Sequence, residues 1–103
     1  MKYKLLPAAE TDLAESMEWY ALEKPGLEAE FLEEVGYTFN HLSKKPLLYA
    51  VRHKRKTVQL RAAAMDRFPF LVVFFVDLKR HLVIITAVWH TSRDPKIWKK
   101  RTP

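Results

Sequence analysis

Cations and histidines are the residues of this chain best suited to chemistry. His90 closes the run Ala87-Val88-Trp89-His90 and is followed by Thr91-Ser92-Arg93-Asp94, while Arg52-His53-Lys54-Arg55-Lys56 places basic or histidine residues in unbroken succession, with Arg61 close behind. Such a set has the parts needed to cleave RNA without a metal. A base removes the proton of the 2′-hydroxyl, an acid protonates the leaving oxygen, and cations stabilise the charge that develops on phosphorus. His90 and His53 suit the first two roles; Lys54, Arg61 and Arg93 suit the third. The same side chains can equally make salt contacts to a nucleic-acid backbone, or hold an acidic protein segment, without any chemistry. Residue types alone leave these readings open, and each candidate has a plainer one. A histidine just past a buried strand often only bonds a backbone carbonyl, Arg93 with Asp94-Pro95 can lock a turn, and a basic loop can simply be solvated.

Other site chemistries are excluded by what the chain lacks. Its two glycines, at 26 and 36, form no phosphate-cradling loop, and the histidines at 41, 53, 81 and 90 have no ligand spacing with one another or with carboxylates. No metal, cofactor or small-molecule substrate is therefore expected. With no cysteine, disulfides and thiolate sites are absent and a reducing cytoplasm is the expected location. The acids concentrate on predicted helices, away from the polar cluster, which argues against a pair of catalytic carboxylates. The longest apolar run, Phe68 to Val76, is far below the ~20 residues that span a bilayer, and the N-terminal apolar run is too short for a signal peptide.

Charge is divided along the chain. Residues 1–43 carry three Lys and nine acids, whereas residues 44–103 carry fifteen Lys and Arg against three acids, so a segment of net −6 precedes one of net +12. A surface built only for solubility would intersperse the signs. The basic half is expected to face an anionic partner: nucleic acid, a ribosome or an acidic protein segment.

The elements that must position these groups follow from hydrophobic period. Lys2 to Leu6 alternates like an edge strand. From Ala8 to Glu23, Ala9, Leu13, Met17 and Tyr20 line one helical face behind Pro7, with Glu10 and Asp12 placed where a helix start favours acids. Lys24-Pro25-Gly26 breaks that helix. Leu27, Phe31, Val35, Phe39 and Leu42 stripe a second one, and the short connector makes the two an antiparallel hairpin. Lys44-Lys45-Pro46 ends it. Tyr49 to Arg52 and Thr57 to Arg61 read as short strands around a basic turn, and Ala62 to Asp66 reads as a connector. Phe70 to Val76 and Leu82 to Val88, separated by Asp77 to His81, form a hairpin whose non-alternating apolar runs predict burial on both faces. Asp94-Pro95 then opens a short segment anchored by Trp98. The fold class is α+β: one domain over residues 1–103, with an N-terminal strand and a helical hairpin packed on one face of a mostly antiparallel sheet.

Arg61, Phe68-Pro69-Phe70, Ala87-Val88-Trp89-His90, Ser92-Arg93-Asp94-Pro95, Trp98 and Arg101 together resemble the RelE/ParE superfamily of toxins from bacterial type II toxin–antitoxin modules, in particular its plasmid stabilisation proteins. Ala9-Glu10, Asp12-Leu13, Trp19-Tyr20, Lys45-Pro46 and Tyr49 extend the likeness over nearly the whole chain. The resemblance implies a curved sheet under a helical hairpin, growth inhibition, and neutralisation by a cognate antitoxin. It also implies one of two targets. RelE-like members cut messenger RNA in the ribosome; ParE-like members poison DNA gyrase. Arg61 and the lysine at 54 or 56 match basic positions of the ribonuclease branch. Where that branch has catalytic arginines, however, this sequence has Leu71 and, near the last strand, Thr91 with Arg93 close by; Trp98 lies near the place of its tyrosine. The ParE-like reading is the one preferred, with RelE-like cleavage as the alternative and His90, Arg61, Lys54 and Arg93 as its catalytic set. For binding a target or nucleic acid the candidates are Arg52, His53, Arg55, Lys56, Arg67, Trp98 and Arg101, with Trp98 offering a stacking surface. A non-toxic nucleic-acid-binding module, or a decayed toxin, is a third reading.

Overall fold

A computed structural model describes residues 1–102. Strand β1 (Lys2–Leu5) leads into helices α1 (Pro7–Glu23) and α2 (Leu27–Lys44); after a single 3₁₀ turn at Pro46–Leu48 come strands β2 (Val51–Arg55), β3 (Val58–Ala64), β4 (Phe70–Asp77) and β5 (Leu82–His90), then a one-turn helix α3 (Lys96–Lys99). The sheet runs β1-β5-β4-β3-β2. Only β1 pairs in parallel, with β5, and every other pairing is antiparallel. The expected architecture is thus the observed one, with β1 at an edge.

Local chemistry explains the elements. Pro7 stands at the first helical position of α1, where its missing N–H costs nothing, and Gly26 at φ 90° takes the left-handed conformation that turns the chain into α2. The stripe of α2 is driven into the sheet: Phe31, Val35, Phe39 and Leu42 are buried with Val72, Phe74, Val83 and Ile85 beneath them. Tyr20 of α1 joins Phe31 and Phe68 at ring separations of 5.0 and 5.1 Å. Burial pushes the Tyr20 phenol above its ordinary range.

The other face of the sheet carries a smaller cluster of Leu60, Ala62, Val73, Ala87 and Trp89 beneath Trp98. Its presence is why β4 and β5 do not alternate: β4 is central, β5 is paired on both edges, and both of their faces are covered. Among the described residues no helix is long and apolar enough to cross a membrane.

β4 and β5 run on to Asp77 and His90, so His90 is the last residue of its strand rather than just past it, and the larger departures from expectation lie between residues 46 and 64. β2 starts at Val51 and runs through His53 to Arg55, so the turn shrinks to Lys56-Thr57 with Lys56 at φ 56°. The residues before it are taken by the 3₁₀ turn that Pro46 opens. Ala62 to Ala64 belong to β3, because pairing with Val73, Val72 and Leu71 of β4 satisfies their backbone groups.

Candidate functional site

The end of β5 delivers the polar cluster. His90 stands opposite Phe70 of β4, its ring edge-on to the phenyl at 5.1 Å. The chain then turns back, with the Arg93 N–H donating to the His90 carbonyl at 3.0 Å. Inside that turn the Ser92 amide donates to His90 Nδ1 at 3.1 Å, with Ser92 Oγ at 2.7 Å from the same atom. An amide donor requires a lone pair on Nδ1, so the neutral ring carries its proton on Nε2. The Arg93 guanidinium lies 3.8 Å from the Trp89 ring centre, a cation–π contact, while the Trp89 indole N–H donates to the Arg93 carbonyl at 3.4 Å.

His90, Ser92 and Arg93 share a cleft with Asp12, Glu15, Ser16 and Trp19 of α1 and with Phe70. The expectation that acids lie away from the polar cluster is therefore wrong. The first helix runs across the end of β5, so its early acids reach the site.

Asp12 is the residue that sequence reasoning misplaced. Expected only as a favourable charge at a helix start, it is 4% exposed and fixed in three ways. Val88 donates its amide to Oδ2 at 3.0 Å, and Arg101 makes a two-pronged pair, 2.6 Å to Oδ2 and 3.2 Å to Oδ1. Arg101 also donates to the Thr86 carbonyl at 3.2 Å. The tail is thereby clamped under α1. One signal was available: Asp12 lies next to Leu13 and three residues after Ala9, on the buried flank of the helix.

Arg101 and Trp98, both expected at a binding surface, thus face inward. Trp98 is 4% exposed and roofs the second cluster, with no free face for stacking. Arg67 is exposed but engaged. Its guanidinium pairs with Glu30 at 2.9 Å and its amide donates to Glu34 at 2.8 Å. The hydrogen bond and charge of Glu30 push the Arg67 guanidinium further above its ordinary range.

The four residues considered for RNA cleavage do not meet. His90 and Arg93 share the cleft, but Arg61 sits opposite Phe74, four residues along β4 from the partner of His90, which is about 13 Å at strand rise. There it donates to the Tyr49 carbonyl at 2.6 Å and the Leu47 carbonyl at 3.3 Å, tying down the 3₁₀ turn. Lys54 stands on β2, three strands from β5 and so about 14 Å across the sheet. Arg52, Lys54, Arg55 and Lys56 are exposed and His53 half-buried, and none takes part in an ion pair among the described residues. No group of three or more His, Asp or Glu is placed to hold a metal ion among the described residues.

Comparison with known proteins adds a family. The family model described as "ParE toxin of type II toxin-antitoxin system, parDE" matches residues 3–95. Among solved structures, a chain of the "Chromosomal ParDE TA system from P. aeruginosa" superposes with a TM-score of 0.72 at 20% identity, covering 87% of this chain and 95% of that one. At that identity the likeness shows the fold. No curated protein matches the chain significantly.

Proposed function

The chain belongs to the ParE toxin family of type II toxin–antitoxin systems, and from that membership we propose that it arrests bacterial growth by acting on DNA gyrase. In this reading it works as a single domain in the cytoplasm and is neutralised by a cognate antitoxin. The observation that carries the choice of gyrase over messenger RNA is the scattering of the candidate catalytic set. General acid–base cleavage needs acid, base and cation within hydrogen-bond reach of one phosphate, whereas Arg61 and Lys54 stand more than a strand spacing away from His90 and Arg93. Leu71 supports the same reading. Where the ribonuclease branch has an arginine, it packs half-buried against the Trp89 and Trp98 cluster.

The antitoxin inference draws on charge and on exposed apolar surface. An acidic, initially disordered segment suits the basic half of the chain, folding as it binds. Trp19, Leu22 and Leu32, 62%, 82% and 43% exposed on the helical hairpin, offer apolar surface for such a segment to bury. His90 and Arg93, beside Trp19, are the residues we assign to target contact.

Pulse-labelling of DNA and protein synthesis in the minutes after tightly controlled induction tests the target. DNA synthesis falls first if gyrase is poisoned. A prompt fall in protein synthesis, with DNA synthesis sustained, would reject gyrase in favour of the ribosome.

A further inference from the structure

The strand register gathers cations at one end of the molecule. The beginning of β1, the β4–β5 turn and the β2–β3 turn all lie at the same end of the sheet, because Lys2 and Asp77 both pair with Leu82, Arg55 pairs with Val58, and β3 runs antiparallel to β4 with Arg61 opposite Phe74. The last turn of α2 reaches this end too, where the Ser43 carbonyl accepts from the N-terminal ammonium at 2.9 Å. Lys2, Lys54, Arg55, Lys56, Lys79 and Arg80 are all exposed here. The only acid in these strand ends and turns is Asp77, which lies 3.7 Å from Arg80. Acids of the helical hairpin lie toward the opposite end, where Glu30 and Glu34 meet Arg67 ahead of the start of β4.

The two projecting turns have a spacing as well as a charge. In the order β1-β5-β4-β3-β2 their centres are at least two strand spacings apart, about 10 Å or more, since β3 and β4 are unpaired at this end. This is close to the ~12 Å width of the DNA major groove, whose two rims are lines of phosphate. β3 pairs with β4 only from Arg61 onward although β4 continues to Asp77, so the β2–β3 ribbon from Lys54 to Gln59 parts from its neighbour and a cleft lined by Val58, Gln59, Phe75, Asp77 and Lys79 separates the two turns. Each turn holds a non-glycine residue in the left-handed region, Lys56 at φ 56° and His81 at φ 54°. Backbone energy alone favours glycine at both positions, so a basic or histidine side chain is kept there at a cost of about 1 kcal/mol.

From this juxtaposition we infer that the cationic end of the sheet docks on duplex DNA, with the β2–β3 and β4–β5 turns resting on the two phosphate rims of a groove. The inference deepens the gyrase reading and rests on it for its biological sense, since gyrase holds a DNA duplex at its working site. Base identity plays no part. The contacts are to phosphates, so binding is independent of sequence and strongly dependent on salt.

Fluorescence anisotropy of the full chain with a labelled duplex of about 24 base pairs tests this without gyrase or antitoxin. Phosphate contacts by Lys54, Arg55, Lys56 and Lys79 give a log–log salt slope of about −3.6, or roughly a 100-fold loss of affinity between about 50 and 200 mM salt. The double variant Lys54→Gln/Lys56→Gln lowers the slope by about two units, whereas Lys24→Gln, in the turn at the opposite end, leaves it unchanged. All three side chains are exposed, and circular dichroism confirms that the variants fold. No duplex binding at low salt, a slope the double variant does not change, or a single strand bound as tightly as the duplex would each overturn the inference. A chain that arrests growth yet fails to bind duplex would refute this inference while leaving the gyrase proposal standing.

Discussion

Replacing Arg101 by Ala removes one side of the clamp that ties the tail to α1. The variant loses two hydrogen bonds to Asp12, at 2.6 and 3.2 Å, and one to the Thr86 carbonyl at 3.2 Å. More costly is what remains. The Asp12 side chain is 5% exposed and that of Arg101 19%, so the carboxylate stays buried with only the Val88 amide to satisfy it. Breaking a buried pair from one side costs about 3–5 kcal/mol, against a whole-domain stability of roughly 5–15 kcal/mol. At roughly 4–8 °C per kcal/mol for a domain of this size, the melting temperature falls by more than about 10 °C. Asp12→Asn is expected to lose a similar amount because it strands the guanidinium, whereas the double variant loses much less than the sum of the two. Urea unfolding followed by tryptophan fluorescence reads all three, since Trp89 lies 5.0 Å from the Arg101 guanidinium. Losses below about 1 kcal/mol in both single variants, the range of an exposed pair, or strict additivity in the double variant, would refute the argument that this contact holds the tail.

Three further outcomes are expected. Arg93→Ala, if Arg93 contacts the target, costs about 2 kcal/mol of target affinity, near 30-fold, and His90→Ala weakens growth inhibition in the same direction; full toxicity of both variants as soluble, folded proteins removes them from the site. Tyr20 makes stability depend on pH at the alkaline end. Its folded pKa is raised above the unfolded value of 10.0, so its contribution is complete below that value and is lost as pH rises through the folded pKa. Tyr20→Phe therefore narrows the fall in urea midpoint above pH 10, and identical falls in the two proteins would contradict the burial argument.

Hydrophobic period was sufficient for the elements and their layers. Spacings of three and four in α1 and α2 state which face is apolar, and a face of that kind can only be buried against the sheet. The unbroken apolar runs of β4 and β5 likewise announced cover on both sides. Strand limits around residues 49–66 were less legible, because Ala62 to Ala64 and His53 to Arg55 have no pattern of their own and take strand geometry from the pairing partner that satisfies their backbone.

Charge was the part that sequence could count but not place. Asp12 and Arg101 stand 89 residues apart, and their pairing follows only once α1 crosses β5 and the tail folds back beneath it. Arg61, Arg67 and Arg101 read alike as free cations along the chain, yet one ties down the 3₁₀ turn, one pairs with Glu30 and one is buried against Asp12. Lys54 and His90 looked like members of one site until strand order separated them. The sequence by itself therefore determined the layers, the net charge of each half and the family likeness, because local period and composition carry those. Which charges are paired, which converge in a cleft and which collect at one end was decided only by strand order and register, since these bring together residues that no local pattern relates.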